Sequence, residues 1–166
     1  SNAYLNNDYE YIRLTNISSQ PVKLYNAALA APWKIDGGVV FVFPTDVPPL
    51  PVGESLYLVK NIAAFQARFP GIDSAKLAGP FSGNLSNSGE KLTLSKPGDV
   101  DEFGVQQFIR VDRVVYSDGR HPDGSGADPW PAAADGEGNS LHRIENEVYG
   151  NDPANWTSAA PSAIVP

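Results

Sequence analysis

Hydrophobic and polar residues alternate along several short stretches of the chain. The alternation is clearest in residues 91–95, KLTLS, where Leu92 and Leu94 are the apolar positions. A period of two is typical of a strand that buries one side and exposes the other. Residues 84–89, NLSNSG, come just before it and are rich in residues that favour tight turns and left-handed backbone. The pattern therefore predicts a polar turn that leads into a half-buried strand at the centre of the fold.

Similar patterns predict further strands elsewhere in the chain. They cover residues 9–16, 22–24, 33–35, 39–43, 54–60, 108–116 and 140–144. In the first of these strands, Ile12 and Leu14 form the predicted core face. In the strand at 108–116, which is the longest, Ile109, Val111 and Val115 form the better core face.

Residues 62–69 are the one segment that favours a helix. Asn61 precedes them and can cap the helix by accepting a main-chain hydrogen bond. Ile62, Phe65 and Phe69 are three and four residues apart, so they would form one apolar stripe along the helix. We expect this stripe to lie on the sheet.

Proline and glycine divide the chain into short segments. There are 15 of each in 166 residues, and one Pro-Gly pair predicts a turn at residues 96–99. About seven or eight short strands with a single helix are typical of an all-β, antiparallel β-sandwich. We predict that residues 4–158 form this one domain of a longer protein. Residues 1–3 are interpreted as the scar of an expression tag and residues 159–166 as a linker.

The chain is acidic. Its 12 Lys and Arg residues against 19 Asp and Glu residues give a net charge of −7 at pH 7. Such a surface repels phosphate backbones, which disfavours nucleic acid as a partner. No apolar stretch approaches the ~20 residues that a membrane-spanning helix needs, so no membrane span is expected in this fragment.

Side chains that commonly carry catalysis are scarce. The chain has no cysteine, which excludes cysteine nucleophiles, disulfides and thiolate metal sites. Its two histidines, His121 and His142, have no metal-ligand spacing, and His142 is expected to face outward from its strand. No nucleophile-elbow or phosphate-loop motif is present. We therefore predict that the protein is not an enzyme. The alternative is a hydrolase built on the acidic loop at residues 117–139.

That acidic loop is the best candidate for a cation site, because its carboxylates lie close together among glycines. Calcium prefers several carboxylate and carbonyl oxygens as ligands. Asp135, Glu137 and Asn139 have the spacing of the first three ligands of a calcium loop, but the sharp-turn glycine and the final glutamate of such a loop are missing. The candidate calcium ligands are Asp123, Asp128, Asp135 and Glu137. The other interpretation is a solvated loop with a turn at Asp135.

Two tryptophans are candidate functional or anchoring residues. Trp130 lies between two prolines, so an exposed indole there could stack on a sugar or bind a peptide; the alternative is that it plugs one end of the sandwich. A carbohydrate-binding module would need a second coplanar aromatic, for which Tyr149 is the candidate. Trp156 follows the last strand, and we expect its indole to anchor the chain end. Trp130, Asp123, Asp128 and Asp135 are the predicted binding residues.

Six segments of the chain, in the same order along it, resemble the lamin tail domain family. They are residues 10–24 (EYIRLTNISSQPVKL), 51–69 (PVGESLYLVKNIAAFQARF), 79–94 (GPFSGNLSNSGEKLTL), 112–116 (DRVVY), 129–143 (PWPAAADGEGNSLHR) and 151–156 (NDPANW). Together they span nearly the whole domain, and they are more similar to the bacterial branch of the family than to the nuclear lamins.

The resemblance implies an immunoglobulin-like β-sandwich that serves as a non-enzymatic interaction or spacer module. In the bacterial branch such modules occur beside hydrolase or kinase-like domains in secreted or cell-surface proteins, so the expected location is extracellular. The expected partner is a protein or a surface glycan that binds through loops. Nuclear lamin tails have been linked to nucleic acid, but the acidity of this chain disfavours that role here.

Overall fold

The structure is a computed structural model that describes residues 4–120 and 127–163. Within these residues the chain is mostly strand. The strands are β1 (Tyr11–Thr15), β2 (Tyr25–Asn26), β3 (Ala31–Pro32), β4 (Lys34–Gly37), β5 (Val39–Val42), β6 (Ser55–Val59), β7 (Leu77–Ala78), β8 (Ser82–Gly83), β9 (Gly89–Val100), β10 (Gln106–Ser117), β11 (Ser140–Arg143) and β12 (Trp156–Ala159). The described part has one α-helix, α1 (Ile62–Arg68), and short 3-10 turns at Asn6–Tyr9, Ser74–Lys76, Ala132–Ala134 and Pro153–Asn155.

Two sheets face each other across a common core. One has the strand order β1-β6-β7 and the other the order β10-β9-β4-β5-β8, while β11 pairs with β12 and β2 pairs with β3 as separate hairpins. Every pairing is antiparallel except the short parallel contact between β6 and β7. The prediction of an all-β, largely antiparallel sandwich with one short helix is confirmed.

The core between the sheets contains the predicted faces of β1 and β9. Its central buried side chains are Leu24, Ile35, Val39, Phe43, Leu50, Leu56, Leu58, Ala78 and Phe81. Ile12 and Leu14 of β1 and Leu92 and Leu94 of β9 pack against this core from the two sheets. These four assignments are therefore confirmed, and they show that the two sheets are joined by apolar contact.

A second, aromatic cluster lies on the other side of β6, under α1. Phe65 is fully buried and lies 5.2 Å from the ring of Tyr11 and 5.6 Å from that of Tyr57. Asn61 caps the helix as predicted, because its side chain accepts a hydrogen bond from the Ala64 N–H at 3.2 Å. The predicted apolar stripe is wrong at Ile62, which is 38% exposed. Ala64 and Phe65 are the fully buried residues of this short helix.

Strand β9 is longer than the pattern predicted, because it continues through residues 96–99, which were assigned to a turn. The chain reverses later, at residues 101–105. There, Asp101 Oδ1 accepts hydrogen bonds from the Phe103 and Val105 N–H groups at 3.0 and 2.9 Å. An aspartate side chain that accepts hydrogen bonds from main-chain N–H groups a few residues later stabilises a tight turn. The chain therefore turns here and not at the Pro-Gly pair.

The face predicted to be buried in β10 is the exposed one. Ile109, Val111 and Val115 are 41–51% exposed. Val114 is the cross-strand partner of the core residue Leu92, so Val114 shares the core face instead. Both faces of this strand carry apolar residues, and alternation alone cannot choose between them.

A register shift between Arg110 and Asp112 adds to this ambiguity, since an extra residue changes which side chains face the core. Strand β10 is also the outer strand of its sheet, so fewer neighbours cover it.

The chain end stays attached to the domain beyond the predicted boundary. Strand β12 extends through Ala159, the Ser162 N–H donates to the Tyr11 hydroxyl at 3.3 Å, and Ala163 packs against the aromatic cluster under α1. Residues 159–163, at the start of the segment predicted to be a linker, therefore contact the domain, and the linker boundary stays a prediction. Residues 164–166 lie outside the described part.

Candidate functional site

A cleft of about 740 Å³ opens on one side of the sandwich. Residues of β1, β9, β10 and β11 line it, together with parts of the loops near Leu85, Asp135 and Val148. The volume is within the range of ordinary ligand pockets. Because the cleft reaches the apolar core between the two sheets, it is the strongest candidate functional site of the described residues.

Strand β1 presents an open main-chain edge to this cleft. The Lys60 N–H donates to the Glu10 carbonyl at 2.9 Å, and the Asn16 N–H donates to the Glu54 carbonyl at 3.0 Å. These bonds place the even-numbered residues of β1 in the hydrogen-bonded pairs with β6. The main-chain groups of Tyr11, Arg13 and Thr15 therefore point away from β6. None of them bonds to main chain elsewhere in the part of the protein that the structure describes.

Strand β11 presents a second open edge. The Ile144 N–H donates to the Asn155 carbonyl at 2.8 Å, so even-numbered residues of β11 bond to β12. By the same alternation, Leu141 and Arg143 direct their main-chain groups to the side away from β12. Two open strand edges thus line one cleft.

The two edges belong to the same layer of the sandwich. Tyr11 points toward the helix side of its sheet, since its ring packs on Phe65, and its hydroxyl lies 3.4 Å from the Ser140 hydroxyl. Leu141 follows Ser140 and so points the opposite way, toward the cleft and the core. No main-chain ladder joins β1 and β11 within the described residues. The layer is held across this gap by side chains.

The floor of the cleft is apolar. It consists of side chains on the core faces of four strands, which are Ile12, Leu14, Leu92, Val114 and Leu141. All five are only half-buried, in contrast to the central core residues. Apolar side chains of a ligand would therefore gain contacts here that the protein itself does not supply.

Buried nitrogen atoms without partners line the cleft. Arg113 Nε, His142 Nε2 and Arg143 Nε are buried and have no hydrogen bond among the described residues. All three residues line the cleft. His142 alternates with Leu141 along β11, so it points away from the core as expected, but its ring nitrogen Nε2 is buried. A buried donor without an acceptor is costly, so the two arginine Nε–H groups favour a ligand that brings oxygen atoms.

Arg143 is fixed at the border of the cleft by two contacts. Its guanidinium donates to Asp112 Oδ2 at 2.7 Å and lies 5.2 Å from the ring centre of Trp156. The Trp156 indole N–H in turn donates to the Gly150 carbonyl at 2.8 Å. The half-buried indole thus anchors the chain end, as expected, and positions Arg143.

The other end of the cleft is closed by the polar turn that precedes β9. Glu10 accepts a hydrogen bond from the Leu85 N–H at 2.8 Å, and the Tyr116 hydroxyl donates to the Ser86 carbonyl at 2.8 Å. Burial raises the pKa of the Glu10 carboxyl, and the Leu85 N–H and Lys60 lower it by less. Burial also raises the pKa of Tyr116 well above its ordinary value, so the phenol stays protonated as a donor.

The acidic residues of the 117–139 loop are engaged within the protein. Arg120 forms ion pairs with Asp135 at 3.2 Å and with Glu137 at 3.1 Å. Asp128 accepts hydrogen bonds from the Trp130 N–H at 3.0 Å and from the Ser117 hydroxyl. Arg120 therefore supplies positive charge where calcium was predicted.

No group of three His, Asp or Glu residues suited to a metal is found among the residues that the structure describes. Asp123 and His121 lie outside them, so the full set of predicted calcium ligands is not described. A calcium site in this loop stays a prediction.

Trp130 is buried, with 8% of its surface exposed. Its ring centre lies 6.1 Å from that of Trp156. Of its two predicted roles, burial fits the plug at the end of the sandwich. An exposed platform formed with Tyr149, as a carbohydrate-binding module would need, is not present because only Tyr149 is exposed.

Several cleft residues could not be identified from the sequence. Arg13, His142 and Arg143 lie on two strands that are far apart in the chain, and neither strand carries a recognisable motif. The only usable signal was the resemblance of both segments to one family, which gives no role to these side chains.

No protein-family model, no curated protein and no solved structure matches the chain. No helix of the described residues is long and apolar enough to cross a membrane.

Proposed function

We propose that this domain is a non-catalytic interaction module that a larger secreted or cell-surface bacterial protein uses to bind a protein partner. In this proposal the sandwich is immunoglobulin-like and related to the lamin tail domains. The partner binds in the cleft between β1 and β11, and the 117–139 loop, which was the predicted recognition surface, forms part of its rim through Asp118 and Asp135.

The observation that carries the proposal is the combination of features in the cleft. An apolar floor, two open main-chain edges and three unpartnered buried nitrogens occur together there. Protein-binding sites combine apolar contact area with hydrogen-bonding groups of fixed position. A spacer domain has no need for such a site.

The arrangement of the cleft gives little support to catalysis. His142 is the only histidine among the described residues, and its Nε2 has no hydrogen-bond partner among them. A general base or a nucleophile needs a second group within hydrogen-bond reach to activate or orient it. For this reason we favour binding over a hydrolase.

A selection with a phage-displayed random peptide library tests the proposal. Clones that bind the domain are retested against Leu141→Lys, which places a charge on the floor of the cleft. The matched control is Val42→Lys, because Val42 is exposed on β5 and lies outside the cleft. We expect clones that bind the wild type and the Val42→Lys variant equally but do not bind the Leu141→Lys variant. Clones that do not distinguish the two variants would contradict it.

Two further results would also contradict the proposal. One is binding to a glycan array by a domain that selects no peptide, since this would make the partner a carbohydrate. The other is turnover of ester, glycoside or phosphodiester substrates that is lost in His142→Ala.

A further inference from the structure

The open edge of β1 defines the kind of ligand that the cleft would take. We propose that it binds an extended peptide as an added strand beside β1, with apolar side chains pointing inward and carboxylate side chains pointing outward. This inference rests on the proposed function and specifies its ligand.

The main chain of β1 is prepared for one more strand. Tyr11, Arg13 and Thr15 present N–H and C=O groups along one edge, at the spacing of a regular strand. A bound peptide in extended conformation would satisfy these groups, which is how sheet-edge recognition gains its affinity. Strand β11 limits the cleft on the far side and directs the main chain of Leu141 and Arg143 toward the same space.

The inward face of the ligand is set by the floor of the cleft. In a strand, alternate side chains point to the same side. A peptide beside β1 would therefore place every second side chain over the core faces of the neighbouring strands, near Ile12, Leu14 and Leu141. Apolar side chains fit these positions, because a polar group would lose water there without gaining a partner.

The outward face of the ligand is set by charge. Arg13 and Arg68 line the cleft, and among the described residues neither of them is ion-paired with a carboxylate. Arg13 lies on the outward face of β1, and His142 alternates with the inward-facing Leu141 on β11. The outward side of the space between the strands is thus cationic.

Four of the five carboxylates that line the cleft have partners within the protein, and Glu147 is the one that has no bond or ion pair among the described residues. Glu10 is bonded to the Leu85 N–H, Asp118 to the Arg120 N–H at 2.8 Å, and Asp135 to the Arg120 side chain. The unpaired groups are therefore mainly donors and cations. They complement carboxylates on the outward face of the peptide, although the whole protein is negative.

The test uses three fluorescein-labelled, end-capped peptides of about ten residues, long enough to pass the whole of β1. The first alternates Val and Glu, the second alternates Val and Lys, and the third is the Val/Glu peptide with N-methylated main chain on alternate residues. Binding is measured by fluorescence anisotropy. We expect the Val/Glu peptide to bind, the Val/Lys peptide to bind at least about tenfold more weakly, and N-methylation to abolish binding.

Two substitutions at one position separate charge from main chain. Arg13→Ala removes the charge and keeps the N–H, so affinity should fall about twofold to fivefold, as for an exposed ion pair. Arg13→Pro also removes the main-chain N–H that points away from β6. An edge strand tolerates proline at such a position, and the substitution should lower the affinity for the peptide by about tenfold or more. Arg110→Ala is the matched control, because it changes the net charge equally and lies outside the cleft.

The inference is overturned if the Val/Lys peptide binds as well as the Val/Glu peptide, or if N-methylation has no effect. It is also overturned if the domain dimerises in sedimentation and peptides fail to compete, since a second copy would then occupy the edge. If Arg13→Pro does not fold, the N-methylated peptide still tests the main-chain bonds. Library clones that need Leu141 but neither acidic residues nor free main chain would contradict this inference and leave the proposed function standing.

Discussion

Strands β1 and β6 are neighbours in one sheet, yet their surroundings differ. All five residues of β6 are buried, because the core lies on one side, α1 covers the other, and β1 and β7 pair with its two edges. Strand β1 has the same two faces covered in part, but only one paired edge. One strand therefore supports the fold, while the other has bonding capacity left for a ligand.

This difference separates stability from recognition in the molecule. Because both faces of β6 are buried, this strand contributes strongly to the stability of the fold, and it is not accessible to a partner. The open edge of β1 contributes less to stability and retains main-chain groups that another chain can use. Substitutions in the two regions should therefore have effects of different size and kind.

The largest effect is expected under α1. Phe65→Ala removes a fully buried ring in contact with Tyr11, Tyr57 and Phe69. It should lower the free energy of unfolding by about 3–5 kcal/mol, measured by urea denaturation. Ile62→Ala on the same helix is the control and should cost less than about 1 kcal/mol, because Ile62 is partly exposed. Equal costs would show that the helix does not pack as described.

Trp156→Ala should have an intermediate effect. The indole is half-buried, stacks on Arg143 and donates a hydrogen bond to Gly150, so we expect a loss of about 2–3 kcal/mol, measured in the same way. This is below the cost of a fully buried tryptophan. Trp156→Phe keeps most of the ring and should lose about 1 kcal/mol, the value of one hydrogen bond. An unchanged Tm in both variants would mean that the chain end is free.

The next prediction concerns pH and the closed end of the cleft. Burial raises the pKa of Glu10 above its ordinary value of 4.5, so the folded protein binds this proton more tightly than the unfolded chain does. The contribution of Glu10 to stability is then fully present below pH 4.5 and is lost as the pH rises through the raised pKa. The free energy of unfolding of the wild type, relative to Glu10→Gln, should therefore fall as the pH rises from 4.5 through the raised pKa. Urea denaturation across this range gives the difference, and a rise would contradict the sign.

The smallest expected effect is that of calcium. Since Arg120 already forms ion pairs with both Asp135 and Glu137, titration of the domain with millimolar calcium should leave its Tm unchanged. A bound ion would stabilise the fold by about 2.7 kcal/mol at a hundred times its Kd. A rise of several degrees, absent in Asp128→Asn, would establish a calcium site in the loop.

The core of the fold could be predicted because local and long-range signals agree there. Leu92 and Leu94 alternate with polar residues and face the core, and Asn61 caps the helix as its chemistry indicates. The prediction failed for β10, where Ile109 and Val111 are exposed and a bulge changes the phase of the strand. Alternation in the sequence shows that the two faces of a strand differ. The elements that pack against the strand determine which of the two faces is buried.

The candidate site could not be predicted from the sequence for a related reason. Asp128 and Trp130 are predicted binding residues because their residue types often bind ligands. In the structure both residues hold a loop together. The open edge of β1 is a property of the main chain, and any residue type can present it. Only the strand order reveals that Arg13 directs its N–H away from β6.

Amide hydrogen exchange along β1, measured residue by residue by NMR, tests the central claim most directly. If β1 has one open edge, the amides of Ile12 and Leu14 are protected by β6, while those of Arg13 and Thr15 exchange at least about a hundredfold faster. Addition of the Val/Glu peptide should then slow the exchange of Arg13 and Thr15 and leave Ile12 and Leu14 unchanged. Equal protection of all four amides in the free domain would contradict the account, because the edge would already be paired.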